Sequence, residues 1–498
     1  MLANLIQAMG STLDFFNILA LTFGTFVGLV VGIIPGIGPM VGMVVLLPFT
    51  FSLSPAVALS LLLGVFCGGY FGGAIPAILM RTPGVPSSLV TSFDGFPLTQ
   101  KGEAQTALSA ALLGSFGGGI ISVVILILLA PALAKVAASF GPPEYFAAAL
   151  FGVTLVVVAN RNHLSRGLLM LGLGLLFATV GIDGATLSPR FTFGILEMQN
   201  GLDIVPVCLG IFGIGQTLLL VERKILQTES MHLTRSTLDF SKLLETLRHW
   251  KTLIRSGIIG TFVGLLPGTG SILASFISYD AAKRLSKHPE KFGHGAPEGC
   301  LASEAGNNAV PAGAMIPLLT LGIPGDALSA VLLGVFTING IYPGPLLLVK
   351  EPVLINTIYL SLLLINIVAF FMLALWLRPF AMIVKMPSSL MAVVIMVVSL
   401  IGIYAVNTRF FDAQVALAMG ILGYILLRFE WPVVNLVVGL VLGDILEQRL
   451  RESLSIGDGN PLIFLSRPIS LVLIILTVLI VLIPLYRDWT KRRKGKLS

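Results

Sequence analysis

Apolar stretches long enough to cross a membrane follow one another along this chain from Leu19 to Leu485, and that succession constrains the fold more than any other feature. A bilayer core needs roughly 20 apolar residues per helix, and the chain supplies about eleven or twelve such spans or broken spans. Runs of this continuity predict helices, because barrel strands would be about ten residues long and would alternate in polarity. A soluble reading fails on composition. AVILMFWYC residues make up 56% of the 498 positions and charged residues 11%, with a mean hydropathy of +0.97. The expected fold class is an all-α polytopic membrane protein.

The formal charge of +7 invites a nucleic-acid reading, but the basic residues gather where membrane loops would put them. Arg223, Lys224, Arg235, Lys242, Arg248, Lys251 and Arg255 share one central segment, and Lys491, Arg492, Arg493, Lys494 and Lys496 end the chain. The positive-inside rule makes both cytoplasmic. For the tail, an anionic-lipid or nucleic-acid contact is the alternative, and no nucleic-acid partner is expected. Cys67, Cys208 and Cys300 are widely separated and read as packing residues, without metal or disulfide spacing. The first residues lack a basic n-region, so no removed signal peptide is expected.

Residues 228–251 form the longest polar stretch, with Leu243, Leu244 and Leu247 at helical spacing, and predict a cytoplasmic linker containing an amphipathic helix. This divides the chain into a first membrane repeat (1–227), the linker (228–251), a second membrane repeat (252–487) and a basic cytoplasmic tail (488–498). Internal matches support the division. GLVVGIIPGIG at Gly28–Gly38 matches GTFVGLLPGTG at Gly260–Gly270, and IPAILMRTPG at Ile75–Gly84 matches IPLLTLGIPG at Ile316–Gly325.

The stretch from Ser256 to Tyr279 has basic residues on both flanks, which a re-entrant hairpin broken at Pro267 and Gly268 would explain. Its counterpart, Gly24 to Phe49, has no basic flank, which fits entry from the other face. Two matching broken segments entering from opposite faces predict two inverted-topology repeats whose breaks surround a substrate site. Pro kinks in ordinary spans are the alternative.

Breaking a helix in hydrocarbon exposes backbone N–H and C=O groups, which suit ions: half-helix N-termini attract carboxylates and C-termini offer oxygens to a cation. The first break offers Gly36 and Gly38, held by backbone alone, and its partner adds Thr269 and Ser271. The others carry Arg81, Thr82, Gly84, Ser87 and Ser88 in the first half, and Gly325 and Asp326 in the second. Just before the latter, SEAGNNAVPAG places Glu304, Asn307 and Asn308 beside an apolar run. Each asparagine either touches substrate or ion or bonds between helices. Arg81 either pairs a substrate carboxylate or ends a span. Asp326 either binds a cation or proton or caps the helix that starts at Ala327. Walker A, H-E-x-x-H and nucleophile-elbow signatures are absent, so no enzyme and no cofactor are expected.

Together, GIIPGIGP, GLLPGTGS, IPAILMRTPGVPSS, SEAGNNAVPAGAMIPLLTLGIPG and GIYPGPLL resemble the large permease subunit of the tripartite tricarboxylate transporter family, over roughly Gly24 to Leu450. The resemblance implies a secondary transporter in a bacterial inner membrane, driven by H+ or Na+. It also implies a small membrane subunit of four helices and a periplasmic solute-binding protein that delivers an organic carboxylate. The expectation is carboxylate import by cation symport, with Glu304 and Asp326 coupling the ion and the other residues named at the breaks and in the asparagine run binding substrate. A channel or a non-catalytic membrane scaffold is the alternative.

Overall fold

The computed structural model describes residues 2–34, 37–159, 164–223, 238–266, 270–383, 392–393, 396–397 and 409–494. Gly36, Pro267, Gly268, Thr269, residues 228–237 of the polar linker and the last four residues lie outside them. The described residues are mostly helical and hold one short antiparallel ladder, Gly181–Ile182 on Pro189–Arg190. Among the described residues five helices are long and apolar enough to cross a membrane: Phe15–Ile33, Pro55–Met80, Ala104–Ala137, Pro352–Leu375 and Phe410–Arg428. Shorter apolar helices accompany them, including Pro142–Val158, Leu164–Ala178 and Ala327–Ile338.

Two units with the same local design form the centre. In each, an entry arm (Phe15–Ile33 or Trp250–Leu265) stops at an extended residue, and a return arm follows (Gly38–Leu46 or Gly270–Leu285). A core helix then packs along the entry arm (Pro55–Met80 or Pro297–Leu321). The stopping residues, Ile34 and Leu266, share φ −85° and ψ 114°. Gly38 and Gly270 open the return arms at φ 71° and 67°, a left-handed conformation that glycine adopts without steric cost.

Glycine sets how closely arm and core helix approach. A Cβ on Gly28 would lie 2.5 Å from the Val65 carbonyl oxygen, and one on Gly260 would lie 2.3 Å from that of Gly306. Facing them, a Cβ on Gly72 would meet the Leu29 oxygen at 2.5 Å, and one on Gly313 the Thr261 oxygen at 2.6 Å. Small residues allow this backbone-to-backbone packing, which dispersion stabilises in a membrane where hydrophobicity cannot.

The two core helices also end alike. Arg81 and Gly322 cap them in the left-handed region, at φ 57° and 72°. The next amides, of Thr82 and Ile323, each donate to the oxygen of a proline, Pro76 and Pro317, at 3.3 Å.

The units run in opposite directions. Pro352–Leu375 is parallel to the first core helix, for Ser361 meets Ser60 at 2.9 Å and Leu373 lies by Phe71, Ala74 and Ile75. Ala104–Ala137 is parallel to the second: Gly114 packs on Leu301, Gly118 on Ala305, and Ser122 Oγ donates to the Ala309 oxygen at 2.6 Å. These two long helices are antiparallel to each other, with Gly119 against Asn366 and Phe116 against Phe370.

At one end of the molecule Lys101 Nζ donates to the His294 oxygen at 2.7 Å, among the basic residues that flank the second hairpin. From the linker, Phe240–Thr246 is helical and Leu243 is buried, while Leu244 and Leu247 face outward. Loops gather elsewhere around Asp183, Arg190, Glu447 and Arg451. Arg451 Nη1 donates to Asp183 Oδ1 at 2.9 Å and Arg190 Nη1 to Glu447 Oε1 at 2.7 Å. The Ala185 amide and the Thr186 hydroxyl, with Arg451 adding its charge, hold the Asp183 carboxyl down at about 2.

Candidate functional site

The second core helix places Glu304, Asn307 and Asn308 at i, i+3 and i+4, so all three share one face. That face meets elements of the first unit. The break after Met80 supplies Ser88 and Thr91, and Ala104–Ala137 supplies Ser115. Glu304 is fully buried. Its Oε1 accepts from Thr91 Oγ1 at 2.5 Å and from Ser88 Oγ at 3.1 Å. Oε2 accepts from Asn307 Nδ2 at 3.0 Å, Asn308 Nδ2 at 3.1 Å and, more weakly, Ser115 Oγ at 3.5 Å. Asn308 Nδ2 also reaches Ser115 Oγ at 2.8 Å, and Ser303 Oγ meets Thr91 Oγ1 at 2.9 Å.

Every donor to this carboxylate is neutral. A buried carboxylate costs several kcal/mol in lost hydration, which hydrogen bonds offset only in part. Among the described residues no Lys or Arg pairs with it. The Oδ1 atoms of Asn307 and Asn308 and the Oγ of neighbouring Ser87 are buried without a partner. The cluster thus joins a buried carboxylate to unused amide oxygens, an acceptor-rich lining.

A second polar group lies at the break after Leu321. Asp326 caps the Ala327–Ile338 helix: its Oδ1 accepts from the Ser329 amide at 2.8 Å, and its own amide donates to Ser329 Oγ at 2.8 Å. The capping role foreseen for it is present, yet Oδ2 is buried and unpartnered. Tyr70 of the first core helix lies against the Ser271 side chain and within electrostatic reach of Asp326.

The glycines at both breaks touch backbone. A Cβ on Gly84 would stand 1.9 Å from the Gly32 oxygen, and one on Gly325 2.9 Å from the Gly264 oxygen. Gly38 has open space around it. Arg81 stands apart from the cluster, exposed, with its guanidinium 6.0 Å from the Phe96 ring centroid. Thr82 Oγ1 turns back to the Met80 oxygen at 3.2 Å. Gly36 and Thr269 lie outside the described residues.

Sequence reasoning missed Thr91 and Ser115, single hydroxyls in small-residue segments that carry no motif, and passed over Ser303 although it opens SEAGNNAVPAG. It also missed Asp94, which is fully buried. Asp94 Oδ1 accepts from the amides of Gly293, Gly295 and Ala296 at 2.7, 2.9 and 2.9 Å, and Oδ2 accepts from the Tyr279 hydroxyl at 2.9 Å. This first-unit residue pins the loop that leads into the second core helix.

A family model described as the tripartite tricarboxylate transporter TctA family matches residues 18–438. The chain belongs to the TctA family. It is 37% identical over 452 residues to a protein of Agrobacterium vitis described as an uncharacterized 52.8 kDa protein in the TAR-I ttuC' 3' region, covering 89% of this chain and 88% of that one. A second protein of that organism, from the TAR-II ttuC' 3' region, is 37% identical over 236 residues, covering 46% of this chain and 96% of its own. No solved structure matches the chain. Family membership makes the chain a multi-pass membrane subunit of a tripartite tricarboxylate transporter, a transport protein rather than an enzyme. The TctA systems include a small membrane subunit and a binding protein beside it.

Proposed function

We propose that this TctA-family chain is the permease of a binding-protein-dependent secondary transporter, importing an organic di- or tricarboxylate together with H+ or Na+. The observation that carries the reading is the Glu304 cluster. A carboxylate and two unused amide oxygens are buried where the second core helix meets the break of the first unit. Such a lining suits a cation or a proton, since either would relieve the buried negative charge.

The topology follows from charge. The end that holds Lys101, Lys283, Arg284, Lys287 and Lys291 is cytoplasmic by the positive-inside rule, and so is the basic C-terminus. The second hairpin then enters from the cytoplasm and the first from the periplasm, as an inverted repeat in the inner membrane requires. Between them the return arms, Gly38–Leu46 and Gly270–Leu285, point N-terminal N–H groups at the breaks. There Gly36, Gly38, Thr269, Ser271, Arg81, Thr82, Gly84, Ser87, Ser88 and Gly325 receive the substrate carboxylates. A cation at Glu304, with Asp326 as the second candidate, takes the carboxylate and the hydroxyl oxygens of Ser88 and Thr91, which turn their protons away, and so ties the break of the first unit to the second core helix. Substrate affinity at the adjacent break therefore rises with the ion, and linkage makes the effect reciprocal.

Uptake into proteoliposomes tests this. With the small membrane subunit and the periplasmic binding protein present, uptake should require both the binding protein and one imposed cation gradient. Uptake indifferent to both would leave a channel as the better reading.

A further inference from the structure

The entry arm of the second unit carries Trp250, Ile254, Ile258 and Phe262 at four-residue spacing, and all four are exposed, at 54%, 42%, 40% and 53%. Spacing of this kind makes one continuous stripe, about 18 Å long at 1.5 Å per residue. At its base Lys251 and Arg255, one turn apart, line an open groove of about 380 Å³ together with Trp250, Ile254, Ile258 and Ile259.

The charge in this groove is uncompensated. Among the described residues neither Lys251 nor Arg255 has a carboxylate partner. Arg255 Nη2 donates to Thr252 Oγ1 at 3.2 Å, while its Nε is buried with no acceptor. Lys251 Nζ lies 5.6 Å from the Trp250 ring centroid. Nearby carboxylates are engaged elsewhere: Glu298 with Thr252, Ser286 and His249, Asp280 with Arg284, and Glu245 with Lys242. The fold of the arm does not demand these cations. In the first unit the matching positions, 232 residues earlier because 260 − 28 = 232, are Leu19 and Phe23.

We propose that this groove is a binding site for an anionic phospholipid. Its phosphate sits between Lys251 and Arg255, and an acyl chain lies along Ile254, Ile258 and Phe262. Lysine supplies a point charge and arginine a planar donor fork, a pairing suited to phosphate oxygens. Tryptophan is at home in the headgroup layer, and basic pockets on the cytoplasmic side of membrane helices take anionic headgroups. A protein partner would cover the stripe too, but paired cations at the foot of an apolar stripe match the two ends of a lipid. The placement rests on the topology proposed above, whereas lipid selectivity in detergent does not depend on sidedness, so the two can fail separately. A lipid held here would brace the base of the hairpin that leads to Ser271.

Native mass spectrometry of the purified chain, offered equal phosphatidylglycerol and phosphatidylcholine, is the test. The chain should retain phosphatidylglycerol about thirtyfold over phosphatidylcholine, two cations each favouring the anionic lipid. The Lys251→Gln/Arg255→Gln pair should remove the preference, and inorganic phosphate should not displace the lipid. Equal retention by the unaltered chain, or a preference that survives the double substitution, overturns the proposal. So does displacement by inorganic phosphate, which would mark a soluble-anion site. Efficient crosslinking of Ile258→Cys to the small membrane subunit in the complex would assign the stripe to protein and likewise overturn it.

Discussion

The two core helices share a frame and differ in what they carry. Ile75 and Ile316 correspond, and the offset, 316 − 75 = 241, sets Glu304 on Leu63, Asn307 on Phe66 and Asn308 on Cys67. All six positions are buried. The first helix fills them with apolar bulk, as a helix hydrophobic all round and surrounded by protein should. Its partner fills them with a carboxylate and two amides that donate to it, and hydroxyls of the other unit, Ser88, Thr91 and Ser115, add to those donors. Shared features, including the left-handed caps, the proline acceptors and the glycine contacts, therefore report on architecture. The unshared Glu304 cluster reports on function.

The largest effect is expected from Leu63→Glu, which puts a carboxylate at the position matching Glu304 without the donors that surround Glu304. It should cost more than about 4 kcal/mol, enough to prevent accumulation of folded protein in the membrane. Well-folded Leu63→Glu protein, judged by monodispersity in detergent, would show that the donor shell is not what makes Glu304 tolerable.

Next comes the pair of break glycines. The clash awaiting a Cβ is with backbone oxygen at 1.9 Å for Gly84, but at 2.9 Å for Gly325. Gly84→Ala should destabilise by about 3 kcal/mol and Gly325→Ala by about half that, read as thermal denaturation in detergent. Equal losses would mean the two units yield equally at their breaks.

A smaller change, of opposite sign, is expected at the caps. Arg81 holds a left-handed conformation that Gly322 adopts freely, so Arg81→Gly should stabilise the protein by about 1 kcal/mol. If uptake survives, Arg81 ends the helix and leaves the substrate site; lost uptake in a stabilised protein would keep it there.

The smallest effect concerns a region outside both units. Asp183 has its carboxyl lowered from 3.8 to about 2, so the stability it contributes is fully present above about 4 and is lost as pH falls through 2. The melting difference between Asp183→Asn and the parent should shrink over that window. A difference that persists at pH 2 would assign the effect to shape rather than charge.

Much of the frame is legible in the sequence because its causes are local. Adjacent proline and glycine mark the breaks at Pro83-Gly84 and Pro324-Gly325, although lone prolines such as Pro76 and Pro317 stay inside helices, and the basic residues on both sides of Ser256–Tyr279 mark a hairpin by charge alone. Glu304, Asn307 and Asn308 stand out because polar groups are costly in an apolar run. Their partners do not. Ser88 is marked by its break, while Thr91 and Ser115 look like ordinary small residues until folding brings them to Glu304 from distant parts of the chain. Asp94 is hidden for the same reason, since its three backbone donors lie about two hundred residues away in sequence. Asp326 is readable as a helix cap from its place before Ala327, and the capping box is there.

The most direct test of the central claim is gradient-driven uptake by Glu304→Gln in proteoliposomes with both partners, alongside the conservative Leu63→Met in the first core helix. Glutamine keeps the shape and removes the titratable charge. Glu304→Gln should insert normally and lose cation-dependent uptake, while Leu63→Met should retain it. Full cation-dependent uptake by Glu304→Gln would contradict the assignment of the coupling site to this cluster.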